Sequence, residues 1–336
     1  MLNELQDPRS PRYHRWLTPE QFAERFGVSQ NDSQAIKTWL EQQGFQVDGV
    51  ARGRNWVTFS GSVAQIERTF RTEIHRYLAD GEEHIAAAVE PSIPEAFATV
   101  VKGFVGLDDY LPRPSGIQLR PLFDARGGSH YLVPDDLVTI YDIVPLYSAG
   151  IGGTGQSIAI VGASDIDLDN LSTFRETVNL PPNDPQIIFA GPDPGTTGAL
   201  GEANLDLQWA GAIAPNATIY YVEASNVSLA LLFAVDQNVA PVISASYYFS
   251  CEQEQAGIGP LFFRAVAQQA NAQGITWVNS SGDAGAAACD ANFSEPLATK
   301  GPAVRFPASI PEITAVGGTE FNESGAGYWN NFNDPS

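Results

Sequence analysis

Glu202 and Asp206 stand four residues apart in Gly201-Glu202-Ala203-Asn204-Leu205-Asp206-Leu207-Gln208-Trp209, a stretch with a helical pattern. At that spacing both carboxylates project from one face of a helix, where like charges repel. Two readings of the pair are open. Partly buried, the two share a proton, one pKa rises, and one carboxylate can serve as a general base. Solvated, they form an acidic face near a helix N-terminus, favoured there by the macrodipole. A third acid, Asp283, lies in Ser280-Ser281-Gly282-Asp283-Ala284-Gly285, directly after the apolar run Ile275–Val278. Strand-end loops of this kind carry catalytic groups in α/β enzymes, and they also hold ordinary Asx turns. Ser244-Ala245-Ser246-Tyr247 ends another apolar run, and its backbone is suited to lining a substrate cleft.

The four histidines, His14, His75, His84 and His130, all precede these segments. A Ser-His-Asp triad would therefore have to draw on His130, and acid–base chemistry otherwise falls to carboxylates. Cys251 and Cys289 are the only cysteines. One pair is neither a disulfide framework nor a four-ligand zinc site. Two buried thiols are the simpler reading, and a single disulfide becomes the better one if the protein is secreted.

These residues need a frame, and the pattern from about residue 131 onward supplies one. Ser157–Gly162, Thr218–Val222, Val242–Ala245 and Ile275–Val278 are short apolar runs, separated by helical patterns at 202–213, 227–236 and 260–273. Alternating strands and helices predict a parallel sheet covered on both faces, with chemistry at the carboxyl ends of its strands. The first hundred residues read differently. A helix led by Asp32, with Ile36, Trp39 and Leu40 on one face, ends near Gly44. Strands at Phe45–Val47 and Trp56–Phe59, a helix after Ser62, and a hairpin of Thr72–Tyr77 with His84–Ala87 follow. That order is the one expected of a ferredoxin-like, split βαβ unit. Between the two halves, Leu111–Gly116 and Ala125–Ser129 are turn formers without apolar periodicity, an exposed linker suited to cleavage. The division predicted is 1–110, a linker at 111–130, and 131–336.

Charge narrows the partners. The net charge is −21, and residues 111–336 carry 23 acidic against 7 basic side chains. Such a surface repels nucleic acid and anionic membranes. No run approaches the ~20 apolar residues of a membrane span. An acid-rich, base-poor chain suits either a soluble low-pI protein or one that works in acid, where protonation relieves the repulsion. The first residues, Met1–Pro8, have no signal-peptide pattern.

Several segments, taken in order, resemble the sedolisins, or serine-carboxyl peptidases, including kumamolisin-like enzymes. They are Leu5–Phe22, Gly61–Ile74, Val101–Leu107, Tyr131–Leu137, Asp193–Trp209 and Phe306–Thr319. The resemblance implies a prodomain at 1–110 that packs on its own subtilisin-like catalytic domain, and polypeptide substrates cleaved in acid. It implies Glu202 as general base, Asp206 as the acid that orients it, and Asp283 as an oxyanion-hole donor. A carboxyl group can donate to an oxyanion only when protonated, and a glutamate base has an intrinsic pKa of about 4.3, so both point to a low working pH. It further implies secretion, a disulfide between Cys251 and Cys289, and Ca2+ bound near the C-terminus of a full-length member. Prodomain arginines such as Arg52, Arg54, Arg68 and Arg71 are expected to pair with catalytic-domain acids, so that acid loosens the interface.

Two departures accompany the resemblance. Tyr248-Phe249 follows Ser246-Tyr247 where the family has glycine, which narrows the cleft or marks a local loop difference. The family's nucleophile sits in Gly-Thr-Ser, whereas the 336 residues contain Gly195-Thr196-Thr197 and Gly318-Thr319-Glu320 but no such motif. The expectation is a C-terminally truncated proenzyme, its sheet incomplete, its serine and calcium site past Ser336, and without peptidase activity of its own. The alternative is a non-catalytic binding or inhibitory protein that acts on a related peptidase.

Overall fold

The structure is a computed structural model that describes residues 1–79, 81–114, 132–255, 257–290 and 297–319. Most of the expected linker lies outside the described residues, as does His130.

The N-terminal half runs α1 (Leu2–Gln6), α2 (Pro19–Phe26), α3 (Gln30–Gln42), β1 (Gln46–Val50), β2 (Val57–Ser60), α4 (Val63–Phe70), β3 (Ile74–Ala79) and β4 (Glu82–Ala87). Local chemistry sets the helix starts. Thr18 with Gln21 and Ser62 with Gln65 form capping boxes at α2 and α4. Ser29 accepts the Asp32 amide and begins α3 three residues ahead of the Asp32 start read from sequence. The expected order of helices and strands is present. The strands pair as two separate antiparallel ribbons, β1 with β2 and β3 with β4, and not as one four-stranded sheet. Leu40, Phe45 and Phe70 form the core beneath them, with Trp39, Phe59 and Phe104 packed around.

The rest of the chain runs β5 (Arg113–Pro114), α5 (Pro134–Ile140), α6 (Val144–Ser148), β6 (Ser157–Gly162), α7 (Leu168–Thr177), β7 (Gln186–Phe189), α8 (Leu200–Ile213), β8 (Thr218–Glu223), α9 (Val227–Asp236), β9 (Val242–Ala245), β10 (Tyr247–Tyr248), α10 (Gly259–Ala272), β11 (Thr276–Ser280) and β12 (Thr314–Val316). Six strands form a parallel sheet in the order β12-β11-β9-β6-β8-β7. Because side chains alternate along a strand, each inner strand feeds two cores. Ile160, Ile219 and Tyr221 pack with Leu171 of α7 and with Ala203 and Leu207 of α8. Val161, Val222, Ile243 and Trp277 pack on the other face with residues of α9 and α10, Leu231 and Phe263 among them. From β6 the chain runs outward to β7 and back to β8, then crosses β6 to reach β9, and this reversal is a topological switch point with a crevice at the carboxyl edge.

The N-terminal half docks on the α9–α10 face. The buried Asp236 carboxylate accepts the amides of Arg52 (2.9 Å) and Gly53 (3.0 Å), and Asn55 Nδ2 donates to Gln269 Oε1 at 2.8 Å. Leu17 donates its amide to the Ala272 carbonyl at 2.9 Å and packs on Ala272 with Phe22. A Cβ on Gly53 would lie 2.8 Å from Asn55 Oδ1 and 2.9 Å from Gln269 Nε2, so the close approach requires glycine. The ion pairs expected across this boundary are replaced by backbone amides. The Arg52 guanidinium pairs with Glu20 of its own half at 2.6 Å, leaving its peptide N–H for Asp236. Arg54, Arg68 and Arg71 form no ion pair among the described residues. A second junction lies at the crevice, where β5 pairs antiparallel with β10, Arg113 opposite Tyr248 and Pro114 opposite Tyr247.

Candidate active site

α8 carries Glu202 in its first turn and Asp206 one turn later, on the side that faces the carboxyl ends of the central strands. Ser246 sits between β9 and β10, and its Oγ donates to Asp206 Oδ1 at 2.8 Å. The same hydroxyl lies within hydrogen-bonding reach of Glu202, and the Asp283 carboxylate is near enough for its charge to act there. A hydroxyl has one proton to give. In the structure that proton goes to Asp206, so Glu202 can receive it only when Asp206 does not. Two acids of α8 thus lie at one serine at the end of β9, with Asp283 of the loop after β11 near enough for its charge to act on Glu202.

Burial governs their protonation. It raises the Glu202 pKa to about 8, helped by the charges of Asp206 and Asp283 and opposed by the Ser246 hydrogen bond. Burial likewise raises Asp206 to about 7, again opposed by Ser246. Asp206 Oδ2 is buried without a hydrogen-bond partner among the described residues, which favours the neutral form. The intrinsic carboxylate range is therefore a poor guide to this pair, because desolvation outweighs it. No basic side chain contributes to either shift.

The loops that hold these groups are cross-braced. After β11 the chain turns through Gly282 at φ +94° and Gly285 at φ +52°, left-handed positions that suit glycine. The space a Gly282 Cβ would fill is taken by Arg305, whose Cγ lies 2.3 Å from that point. The Arg305 guanidinium carbon lies 4.4 Å from the centroid of the Tyr248 ring, a cation–π contact. Phe249 packs edge-to-face on Phe263, with ring centroids 4.9 Å apart, and lies near Phe306. The two bulky residues in place of glycine are thus anchored, one under an arginine and one in the aromatic core. Asn279 receives the Trp277 indole N–H at 3.2 Å and donates to the Tyr247 carbonyl at 3.1 Å, fixing β10 against β11. Cys251 and Cys289 are joined by a disulfide that ties the segment after β10 to the segment after Asp283.

Sequence reasoning assigned Ser246 a backbone role and missed its hydroxyl, whose partner is set by tertiary packing. A clue was available, since a serine at a strand end opposite a paired-acid helix is well placed to give a proton. It also passed over Glu223, 1% exposed at the end of β8, which closes an otherwise apolar run. Among the described residues, no group of three or more His, Cys, Asp or Glu side chains is placed to hold a metal ion. No helix among the described residues is long and apolar enough to cross a membrane.

Comparison with known proteins gives the site a context. Residues 1–110 match the family model described as Pro-kumamolisin, activation domain. Sedolisin of Pseudomonas sp. (strain 101) is 27% identical over 98% of this chain and 59% of its own length. Kumamolisin of Bacillus sp. (strain MN-32) is 25% identical over 94% of this chain and 58% of its own. Xanthomonalisin of Xanthomonas sp. (strain T-22) is 27% identical over 95% of this chain and 43% of its own. The chain thus spans between 43% and 59% of the length of these relatives. Pseudomonas sedolisin, a serine-carboxyl proteinase solved with two molecules of pseudo-iodotyrostatin, superposes with a TM-score of 0.43 and 27% identity over 51% of this chain and 50% of that one. This chain is similar to the sedolisins over nearly its whole length, and its first 110 residues match the pro-kumamolisin activation domain.

Proposed function

We propose that Glu202, Asp206 and Asp283 are the acid–base and oxyanion-stabilising part of a serine-carboxyl endopeptidase zymogen that cleaves polypeptides in acid. The observation that carries this reading is the placement of Glu202 and Asp206 at Ser246 on the carboxyl edge of the parallel sheet, with the charge of Asp283 acting on Glu202. In this reading Glu202 takes the proton of a serine nucleophile, while Asp206 orients it and tunes its charge. Asp283 supplies a donor to the oxyanion that forms as the peptide carbonyl is attacked. Ser246 holds the two α8 carboxyls in register.

Residues 1–110 act as the prodomain and the following linker, 111–130, as the processed segment. The antiparallel pairing of β5 on β10 supports this, because it lays the chain beside Ser246 as an extended substrate would lie. The Cys251–Cys289 disulfide fits an oxidising compartment, in keeping with secretion.

No Gly-Thr-Ser occurs in the 336 residues. The polypeptide of this sequence is accordingly expected to show no turnover on a denatured protein at pH 3–5. A reading frame extended to include such a serine should hydrolyse it, with Glu202→Ala abolishing the activity. An extended protein whose activity is unaffected by Glu202→Ala would overturn the assignment. Turnover by the 336-residue chain that Glu202→Ala removes would overturn the need for a Gly-Thr-Ser serine.

A further inference from the structure

A cation at the crevice stands without a counter-ion. Arg305 is fixed along its backbone: its amide donates to the Ser281 carbonyl at 3.0 Å, and it forms an antiparallel bridge with Cys251. Its stem fills the space beside Gly282, and its guanidinium carbon lies 4.4 Å from the centroid of the Tyr248 ring. Among the described residues that guanidinium makes neither an ion pair nor a hydrogen bond, although Asp283 follows Gly282 directly. A cation–π contact engages the charge and leaves the N–H donors to be used.

Tyr248 lies on β10, along which β5 runs antiparallel with Arg113 directly opposite Tyr248. Side chains directly opposite in an antiparallel pair share a face of the ribbon. A chain lying on β10 as β5 does therefore presents one side chain to the face where Arg305 covers Tyr248. The occupant of that position in this chain is a second cation. The Arg113 guanidinium is drawn instead to Glu82, the first residue of β4, at 3.6 Å, and the side chain remains 65% exposed. The linker thus brings a charge that Arg305 repels, and the balancing acid comes from the N-terminal half, not from the crevice.

We propose that Arg305, held against Tyr248, is a subsite for an acidic side chain. An extended polypeptide with Asp or Glu at the position of Arg113 binds this crevice better than one with a neutral or basic residue there. A guanidinium with free donors takes a carboxylate through charge-assisted, bidentate hydrogen bonds. Because the Arg305 stem is already fixed at Gly282, little side-chain freedom is lost on binding. The neighbouring positive charge also favours the ionised carboxyl, so recognition extends into mild acid. By the same argument Arg113 is a weak occupant that depends on Glu82. As a substrate preference the subsite rests on the peptidase reading; as a charge preference of the crevice it does not.

The chain's own strand provides the test. In the 336-residue chain carrying Glu82→Gln, so that a new acid is not repelled by Glu82, Arg113→Glu is compared with Arg113→Gln at pH 7. Hydrogen exchange is read at the Tyr247 and Tyr248 amides. Protection should be about fivefold higher with Arg113→Glu, and adding Arg305→Gln to both chains should remove that advantage. Any purely structural effect of Arg305 cancels, because each comparison holds residue 305 fixed. If Arg305→Gln does not fold, Arg305→Met keeps the stem beside Gly282 and carries the same comparison. Equal protection with Arg113→Glu and Arg113→Gln would overturn the subsite, as would an advantage that survives loss of the Arg305 charge. Turnover plays no part in this readout, so the subsite and the peptidase reading fail separately.

Discussion

Two places in this molecule bury carboxylates, and they do so with opposite partners. On the α9–α10 face, Asp236 is 2% exposed, yet both of its oxygens are met by backbone amides of the docked N-terminal half. On the carboxyl edge, Glu202 and Asp206 face each other and a serine hydroxyl, and Glu223 is buried with one carboxyl oxygen unpartnered among the described residues. A buried charge with donors around it is an adhesive, because losing either side leaves the other unpaired. Buried acids without donors become reservoirs of protons. The same residue type thus fastens one region and titrates the other.

The comparison can be broken most forcefully at Asp236. Asp236→Ala leaves the Arg52 and Gly53 amides unpaired and should destabilise the chain by about 3 kcal/mol, read as a lower urea midpoint and faster proteolysis of residues 1–110. Gly53→Ala attacks the same contact sterically and should cost about 2 kcal/mol, because Gln269 is itself buried and hydrogen-bonded. If either change left stability untouched, docking through Asp236 would be wrong.

The carboxyl edge should respond with the opposite sign. Glu202 and Asp206 are raised to about 8 and about 7 from ordinary values of 4.5 and 3.8. Their stabilising contribution is therefore complete in acid and lost as pH rises toward 8. The melting temperature should fall from pH 4.5 to pH 8, and Glu202→Gln should flatten that fall by about 1 kcal/mol at the alkaline end. The exposed, lowered acids Asp7 and Glu20 work in the other direction, but surface pairs of this kind contribute little. The smallest effect is expected for Ser246→Ala. Without the hydroxyl, Asp206 loses its donor and its pKa should move further upward, visible in a carboxyl carbon-13 titration while the fold is retained.

Much of the frame was legible in the chain. Ser157–Gly162 and Val242–Ala245 read as strands because they are short, apolar and bounded by turn formers, and they are the innermost strands of the sheet. β7 and β12 were not read: they are edge strands of only four and three residues. The capping box at Ser62 was visible as a local motif, whereas the two-ribbon pairing before residue 90 depends on contacts distant in sequence. At the site, the four-residue spacing marked Glu202 and Asp206 as candidates and a strand-end glycine loop marked Asp283, while their expected roles came from the resemblance. The meeting of Glu202 and Asp206 at Ser246 could not be read, because it depends on how β9 sits beside α8. Arg52 misled for a related reason: its charge was easy to see, while the donor that mattered was its backbone amide.

The disulfide has a mechanical side. Cys251 and Cys289 are 38 residues apart, and the loop they close contains α10, β11 and Asp283. Closing such a loop restricts the unfolded chain by about 4 kcal/mol in the chain-entropy account. Gln269 and Ala272, which the N-terminal half grips, therefore sit on the same covalent hoop as the acid proposed to meet the oxyanion. Opening the hoop with a reductant would slacken both ends together, so a thiol reagent offers one handle on prodomain docking and on the placement of Asp283.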